Sequence, residues 1–398
     1  MVTYQLPIYD GAVEVQLPER WQVHYAPIKD LPALTPAQIR DALAHPIGTS
    51  PIRELARGKR TAAVIVEDLT RPLRGEDVVP YVIDELHAGG ISYDDVTIII
   101  GIGAHRPLGQ REYRRKLGDR IFDSFLAVNP NLYENQVYVG TTAAGTPVEI
   151  CRDAAEADIK VSVSSIMPHN GAGFSGGGKL ILPGVCSMRT IEHHHSKYTS
   201  YATDRSSFGD PECSFRHEIE EVARLAHLDV IVDAVLNSRL DVVGLFVGDL
   251  VQAHRAGVSL GWQVYPARAP AGVDVAIISG FPRDYELGQI TAALAPNTGG
   301  TSVREGGAVL LLGGGQEGVG YHALRDRYVP TRKSSPKGNY DLLVYSPQVS
   351  VKEVACAFPE GTRFFDNVEE ALAILEVAYP QARANVFPQG AMTIFQPE

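Results

Sequence analysis

TAAVIVEDLTRPLRGEDVVPYVIDELHAGGISYDDVTIIIGIGAHRP, Thr61 to Pro107, decides the fold. Its first part, TAAVIVEDLTRP, is a β-branched run that stops in a polar loop. GEDVVPYVIDELHAGG follows with apolar residues at helical spacing and a glycine stop, despite Pro80. DDVTIIIGIGAHRP is a second buried strand ending in another polar loop, and LGQREYRRKLG after it reads as a polar helix. Strand, loop, helix, strand, loop, helix is the order of a parallel α/β sheet. In such sheets ligands bind beyond the carboxyl ends of the strands, where EDLTRP and GAHRP both fall.

The pattern continues outward. DIKVSVSSIMPH is a strand running into a glycine loop, ECSFRHEIEEVARLAHL is amphipathic, and DVIVDAVLN is a strand. GDLVQAHRAGVSLGWQVY reads as a helix, and PARAPAG, residues 266–272, as a linker. VDVAIISGFP, GGAVLLLGGG, YDLLVYSP and TRFFDN then read as four short strands of a smaller α/β domain. The sequence therefore predicts two α/β domains with largely parallel sheets and an active-site cleft between them. Residues 1–266 form a catalytic, cofactor-binding domain, with 390–398 able to complete it, and residues 273–389 form the second.

At 398 residues the chain exceeds one ordinary core. Its 44% hydrophobic and 21% charged residues fit a globular protein. The net charge of −11, without a basic stripe, argues against a nucleic-acid partner. No apolar run reaches membrane-spanning length, and the N-terminus lacks the basic and apolar regions of a signal peptide. Cys151, Cys186, Cys213 and Cys356 form no CxxC pair, which suits reduced thiols in a cytoplasmic protein. A homo-oligomer is compatible with all of this.

The chemistry concentrates in PHNGAGFSGGGKLILPGVCSMRTIEHHHSKY, Pro168 to Tyr198. Gly173 to Lys179 has the spacing of a phosphate-binding loop. Leu180, however, stands where that loop needs a hydroxyl for magnesium, and Pro183 interrupts the helix that should follow. The uncovered amides of consecutive glycines remain suited to close approach of a phosphate; the plainer reading is a glycine turn with a solvated lysine. His193, His194 and His195 invite a zinc site, but neighbours on a helix point about 100° apart, so at most two can face one ion. His105 and His169 each follow a strand. Either alone is as consistent with packing as with catalysis; together at one sheet's carboxyl end they can serve as acid and base. Arg71 offers a fork for a carboxylate or phosphate, or else pairs with Asp68 across its turn.

Taken together, DLTRP, GAHRP, PHNGAGFSGGGKLILPG and the histidine trio resemble the lactate racemase family, enzymes that use a nickel-pincer nucleotide. DPECSFRHEIEEVARLAHLDVIVDAVLN, SGFPRD and GGGQEGVG resemble it more loosely. The likeness spans most of the chain, and the combination carries it.

That resemblance implies nickel and a pyridinium mononucleotide whose sulfur-bearing arms hold the metal. It assigns Lys179 as cofactor anchor, His195 as nickel ligand, and Asp68, Thr70, Arg71, Ser175, Gly176 and Gly177 to the cofactor cradle, the glycines making room for it. His105 and His169 become acid and base, exchanging roles between enantiomers, and Arg71 and Gln289 become substrate contacts. The reaction implied is hydride transfer from a 2-hydroxy acid to the cofactor and back to the other face of the planar keto acid. Gly288 and Ala292 stand where lactate-acting members carry an aromatic and a lysine, which points to a bulkier 2-hydroxy acid or a sugar acid. Two other readings are a protein that stores the cofactor without turnover and a zinc hydrolase built on the histidine cluster.

Overall fold

The structure, a computed structural model, describes residues 1–198, 207–294, 298–324 and 340–398. The chain forms two compact units, one of Met1–Asp30 with Gln263–Glu398 and one of Leu31–Trp262. It begins in the first with β1 (Val2–Ile8), β2 (Gly11–Leu17) and β3 (Gln22–Tyr25). It then builds the second from β4 (Ala62–Glu67), β5 (Val96–Gly101), β6 (Leu126–Val128), β7 (Gln136–Thr141), β8 (Pro147–Cys151), β9 (Ile159–Ser165), β10 (Pro168–His169), β11 (Gly173–Phe174), β12 (Val230–Leu236) and β13 (Val242–Gly248). It returns to the first with β14 (Pro266–Ala269), β15 (Val273–Ser279), β16 (Val303–Leu312), β17 (Asp341–Tyr345), β18 (Arg363–Phe365), β19 (Arg383–Phe387) and β20 (Ile394–Pro397).

The Leu31–Trp262 unit holds a six-stranded sheet in the order β13-β12-β9-β4-β5-β6. Every neighbour pair is parallel except β12 with β13. Strands buried on both faces read as continuous apolar runs, and all six residues of β4 and all seven of β9 are buried. The helix Val79–Ala88 buries Val79, Val82, Ile83 and Leu86, the stripe its spacing predicts, with Pro80 tolerated in the first turn. From β4 the chain proceeds outward to β5 and β6, then returns to the other side of β4 at β9. The strand order thus reverses between β4 and β9, the place where an open parallel sheet leaves a crevice.

The other unit holds an all-parallel sheet in the order β18-β17-β16-β15-β19-β3. The hairpin β1–β2 covers one face, burying Leu6, Val13, Val15 and Leu17 with Trp21 against Val275, Ile277 and Leu310. This changes the expected boundaries. The first 30 residues join the C-terminal unit because their apolar side chains have their core there and β3 extends its sheet. Residues 266–269 are a strand rather than a linker, and β20 pairs with it inside this same unit. The four strands expected between 273 and 366 are present, as β15 to β18.

Candidate active site

Three neighbouring strands of the Leu31–Trp262 unit end in the expected site residues. β4 leads into Asp68, Thr70 and Arg71, β5 into His105, and β9 into His169 and the glycine loop. His105 and His169 thus follow the two strands that flank β4.

Asp68 is buried, and its Oδ2 lies 2.6 Å from His105 Nδ1. Its Oδ1 accepts from the Thr70 hydroxyl at 2.6 Å and the Thr70 amide at 3.0 Å. Burial alone would raise the carboxyl pKa. The His105 ring, the bonds from His105 and Thr70, and the Arg71 charge outweigh it and hold Asp68 down at about 2. An anion accepts only, so His105 donates through Nδ1 and carries its lone pair on Nε2. Asp68, expected in the cofactor cradle, is thus engaged by the His105 ring. Arg71 does not pair with it; its Nη1 donates to the Thr70 carbonyl at 3.0 Å and hydroxyl at 2.9 Å.

A buried ion pair fixes this loop from beneath. Lys116, from the helix Gln110–Leu117, donates to the Arg71 carbonyl at 3.0 Å and the Leu73 carbonyl at 2.6 Å, and lies 3.3 Å from Glu67. Glu67 accepts from the Leu73 amide at 2.9 Å and the Ser165 amide at 2.7 Å, joining the ends of β4 and β9. Neither residue stands out in the sequence, where Lys116 reads as one more charge of a polar helix.

His169 sits in the β10–β11 turn, where its Nδ1 accepts from the amides of Gly171 at 3.1 Å and Ala172 at 3.2 Å. The glycine loop that follows is buried from Gly171 to Gly178. The Ser175 hydroxyl is engaged within the fold, donating to the Ser165 carbonyl at 2.7 Å and accepting from the Met167 amide at 2.9 Å. Gly176 and Gly177 have φ of +83° and +60°. A Cβ on Gly176 would stand 2.8 Å from Asp233 and 2.9 Å from Ile166, and one on Gly178 would stand 2.9 Å from Ala223. Their smallness serves packing against the body of the unit.

Arg216, fully buried in the helix Ser214–Leu225, donates to the carbonyls of Ala172 at 3.2 Å, Gly176 at 3.0 Å, and Phe174. Asp233 accepts from the Gly177 amide at 2.7 Å, and His254 donates through Nε2 to the Ser175 carbonyl at 2.9 Å.

Lys179 leaves this loop with its ammonium 5.9 Å from the centroid of the Phe215 ring. The same ring touches His194 and His195, at 4.4 and 5.4 Å between centroids. His193 points elsewhere, toward the Thr146 hydroxyl at 3.3 Å. Burial holds the His194 pKa down at about 4, with the Glu218 carboxylate 4.0 Å away opposing that shift. His195 donates through Nδ1 to the Ile191 carbonyl at 2.9 Å, which places its lone pair on Nε2. A metal takes that tautomer of imidazole, fixed by a backbone carbonyl behind it, so the donor chemistry at His195 fits a metal-bearing cofactor. Among the described residues no group of three or more His, Cys, Asp or Glu side chains converges to hold an ion.

Residues 9–207, half of the chain, match the family described as the lactate racemase N-terminal domain. The lactate racemase of Lactiplantibacillus plantarum is 30% identical over 325 residues, covering 78% of this chain and 73% of that protein. This chain belongs to the lactate racemase family. It is accordingly an isomerase of the racemase kind. The lactate racemase of Thermoanaerobacterium thermosaccharolyticum is also 30% identical, over 286 residues, which is 71% of this chain and 66% of that protein. Its apoprotein structure shares the fold at a TM-score of 0.79 and 23% identity, covering 99% of this chain and 100% of that one. A Thermotoga maritima protein structure follows at 0.68 and 15% identity, covering 92% of this chain and 99% of that one. Among the described residues no helix is long and apolar enough to cross a membrane.

Gln289 and Ala292 lie in the other unit, on the 3-10 helix Leu287–Leu294. There Gln289 accepts from Arg283 Nη2 at 2.9 Å. Phe215, Arg216, Asp233, His254, Glu67 and Lys116 were absent from the residues expected at the site. Phe215, Arg216 and Asp233 lie in DPECSFRHEIEEVARLAHLDVIVDAVLN, which the family resemblance covers, and of these it is the Phe215 ring that lies beside Lys179.

Proposed function

We propose that this racemase inverts a 2-hydroxy acid by reversible hydride transfer, with a nickel-pincer nucleotide as cofactor. The observation that carries the reading is the Asp68–His105 pair at 2.6 Å beside the strand-order reversal, with His169 following the strand on the other side of β4. A bound nickel-pincer nucleotide supplies the acceptor and donor of hydride. Lys179 and His195 would hold it, the lysine as anchor and His195 Nε2 as metal donor. Arg71 presents a guanidinium to a carboxylate or phosphate, its orientation fixed at Thr70. His105 takes the hydroxyl proton on Nε2 while Asp68 keeps the ring in its tautomer. Gln289 serves as a substrate contact. With Ala292 and Gly288 in place of a cation and an aromatic, the expected substrate is bulkier than lactate, up to a sugar acid.

The test uses protein loaded with the cofactor, each pure enantiomer of a panel from lactate to sugar acids, and chiral chromatography of the products. At least one acid is inverted, and His105→Ala slows that inversion by about 10²-fold or more with nickel content unchanged. Full nickel content with no inversion across the panel would establish the storage reading instead.

A further inference from the structure

We infer that Glu218 is a positioning residue for the proposed nickel ligand. Together with Arg216 it makes one helix, Ser214–Leu225, hold both the loop that carries Lys179 and the helix end that carries His195. This rests on the proposed function, which places Lys179 and His195 on one cofactor.

His195 belongs to the last turn of the helix Met188–Lys197. The first turn of that helix is fixed locally. The Ser187 hydroxyl accepts from the Thr190 amide at 3.2 Å, and the Thr190 hydroxyl donates to the Pro147 carbonyl at 2.8 Å. No glycine follows closely in the sequence to close the last turn. A helix leaves its final carbonyls without internal partners, so that end frays unless something outside holds it. A metal ligand there needs such a hold, because donor atoms must stay within about 0.5 Å of their working positions.

Glu218 supplies the hold. It is buried, and its Oε2 accepts from the Tyr198 hydroxyl at 2.8 Å while its Oε1 lies 3.3 Å from Lys197 Nζ. On its other side the carboxylate accepts from the hydroxyls of Thr142, at 2.8 Å, and Thr146. Lys197 adds bonds to the Thr146 hydroxyl at 2.7 Å and the Ala144 carbonyl at 2.6 Å. One carboxylate thus ties the end of the His195 helix to the β7–β8 turn. An apolar side chain would pack these elements without the cost of burying a charge. The carboxylate gains direction instead, fixing two donors of the last turn at its two oxygens.

Residues two apart on a helix leave it about 200° apart. Arg216 reaches the glycine loop, where it holds the Ala172, Phe174 and Gly176 carbonyls. Glu218 leaves the same helix on the other side and reaches the His195 helix. The cofactor anchor and the metal donor therefore share one frame.

Two measurements test this. In cofactor-loaded protein challenged with excess chelator, Glu218→Gln should lose nickel about 10–100-fold faster than wild type. Tyr198→Phe should lose it faster by a smaller factor, and it decides alone if Glu218→Gln does not fold. In both, the visible absorption of bound nickel, which reports its ligand geometry, should move. Glu221 is the control: it accepts from the Ala143 amide of the same β7–β8 turn at 2.6 Å and takes no hydrogen bond from the His195 helix among the described residues. Glu221→Ala should match wild type in rate and spectrum. Wild-type nickel loss in Tyr198→Phe or in a folded Glu218→Gln overturns the inference, and so does equal acceleration in Glu221→Ala. In the protein without cofactor, amide hydrogen exchange over residues 193–198 should be at least about tenfold faster in Glu218→Gln, with the glycine-loop amides unchanged; unchanged exchange over 193–198 also overturns it. A loaded wild type that holds no nickel refutes the proposed function, and the inference falls with it. Nickel held equally by wild type and variants refutes the inference alone.

Discussion

Each unit carries a glycine loop at the carboxyl end of a parallel strand, and the two loops are latched in similar ways up to a point. GAGFSGGGK follows β9 and GGGQEG follows β16. In both, a fully buried aspartate accepts a glycine amide: Asp233 from Gly177 at 2.7 Å, and Asp284 from Gly314 at 2.8 Å. The carbonyl side differs. In the first loop a buried guanidinium takes three carbonyls and a buried imidazole a fourth. In the second, a serine hydroxyl, Ser346, donates to Gly314 at 3.1 Å. Burying a guanidinium is costly, and burial brings the Arg216 pKa down to about 10. That expense is placed under the loop that ends in Lys179. Amide capture by aspartate is common to both glycine turns, while capture of the carbonyls by a charged group is found, of these two, in the lysine-bearing loop.

The largest effect should come from removing that charge. Arg216→Met leaves three buried carbonyls without a donor, and the unit should lose about 3–5 kcal/mol. The chain has two tryptophans, Trp21 in one unit and Trp262 in the other, so Trp→Phe backgrounds give each unit its own fluorescence signal in urea. Trp262 stacks edge-on with Phe174 of the loop, 6.0 Å between centroids, and reports on it directly. The loss should appear at Trp262 and not at Trp21. A loss below about 1 kcal/mol would mean the guanidinium is incidental to the loop and the contrast is empty.

The aspartates should distinguish the loops by pH. Burial raises Asp233 to about 7, against the opposing bonds from Ser164 and Gly177 and the Arg216 charge. Burial raises Asp284 to about 6, against the amides of Tyr9 and Gly314. A carboxyl raised on folding keeps its proton where the unfolded chain has released it. Its contribution is full below the unfolded value, near 4, and is lost as pH rises through the folded value. The wild type should therefore lose stability from about pH 4 to 7 in the unit of Asp233, and from about pH 4 to 6 in the unit of Asp284, at up to ~1.4 kcal/mol per pH unit from each group. Asp233→Asn and Asp284→Asn stay neutral and should each flatten the slope in their own unit only. Urea unfolding at a series of pH values checks this; unchanged slopes would mean both aspartates stay ionised.

Much of this was legible in the sequence, for definite reasons. β4 (AAVIVE) and β5 (VTIIIG) are rich in β-branched residues, and β9 (IKVSVSS) carries them at alternate positions, compositions that a strand favours. Their polar ends expose Asp68, Arg71, His105 and His169 to any reader of strand ends. The pairing of Asp68 with His105 was not legible, because it depends on β4 and β5 lying side by side, which spacing alone does not fix. Arg216 and Lys116 were hidden because each sits on a helix that also carries exposed cations, Arg224 and Arg114 respectively, and a buried cation has the same letter as an exposed one. The N-terminal segment was missed for the opposite reason. β3 is four partly exposed residues whose sheet partner, β19, lies more than 350 residues later.

The smallest expected effect belongs to Ser346, and it tests the comparison from the other side. Its hydroxyl is the counterpart of Arg216 in the second loop, while its backbone amide is bonded to the Phe365 carbonyl at 3.0 Å and survives substitution. Ser346→Ala removes one neutral hydrogen bond and leaves one buried carbonyl, at Gly314, without that donor. Asp284 still holds the Gly314 amide and, through its own carbonyl, the Gly315 amide at 2.8 Å. The loss should be about 1–2 kcal/mol, read at Trp21, with Trp262 unmoved. If Ser346→Ala costs as much as Arg216→Met, the charge beneath the lysine-bearing loop has no special weight, and both glycine loops are simply turns held by whatever donor packs behind them. If it costs markedly less, the guanidinium marks the one loop of the two that must stay still.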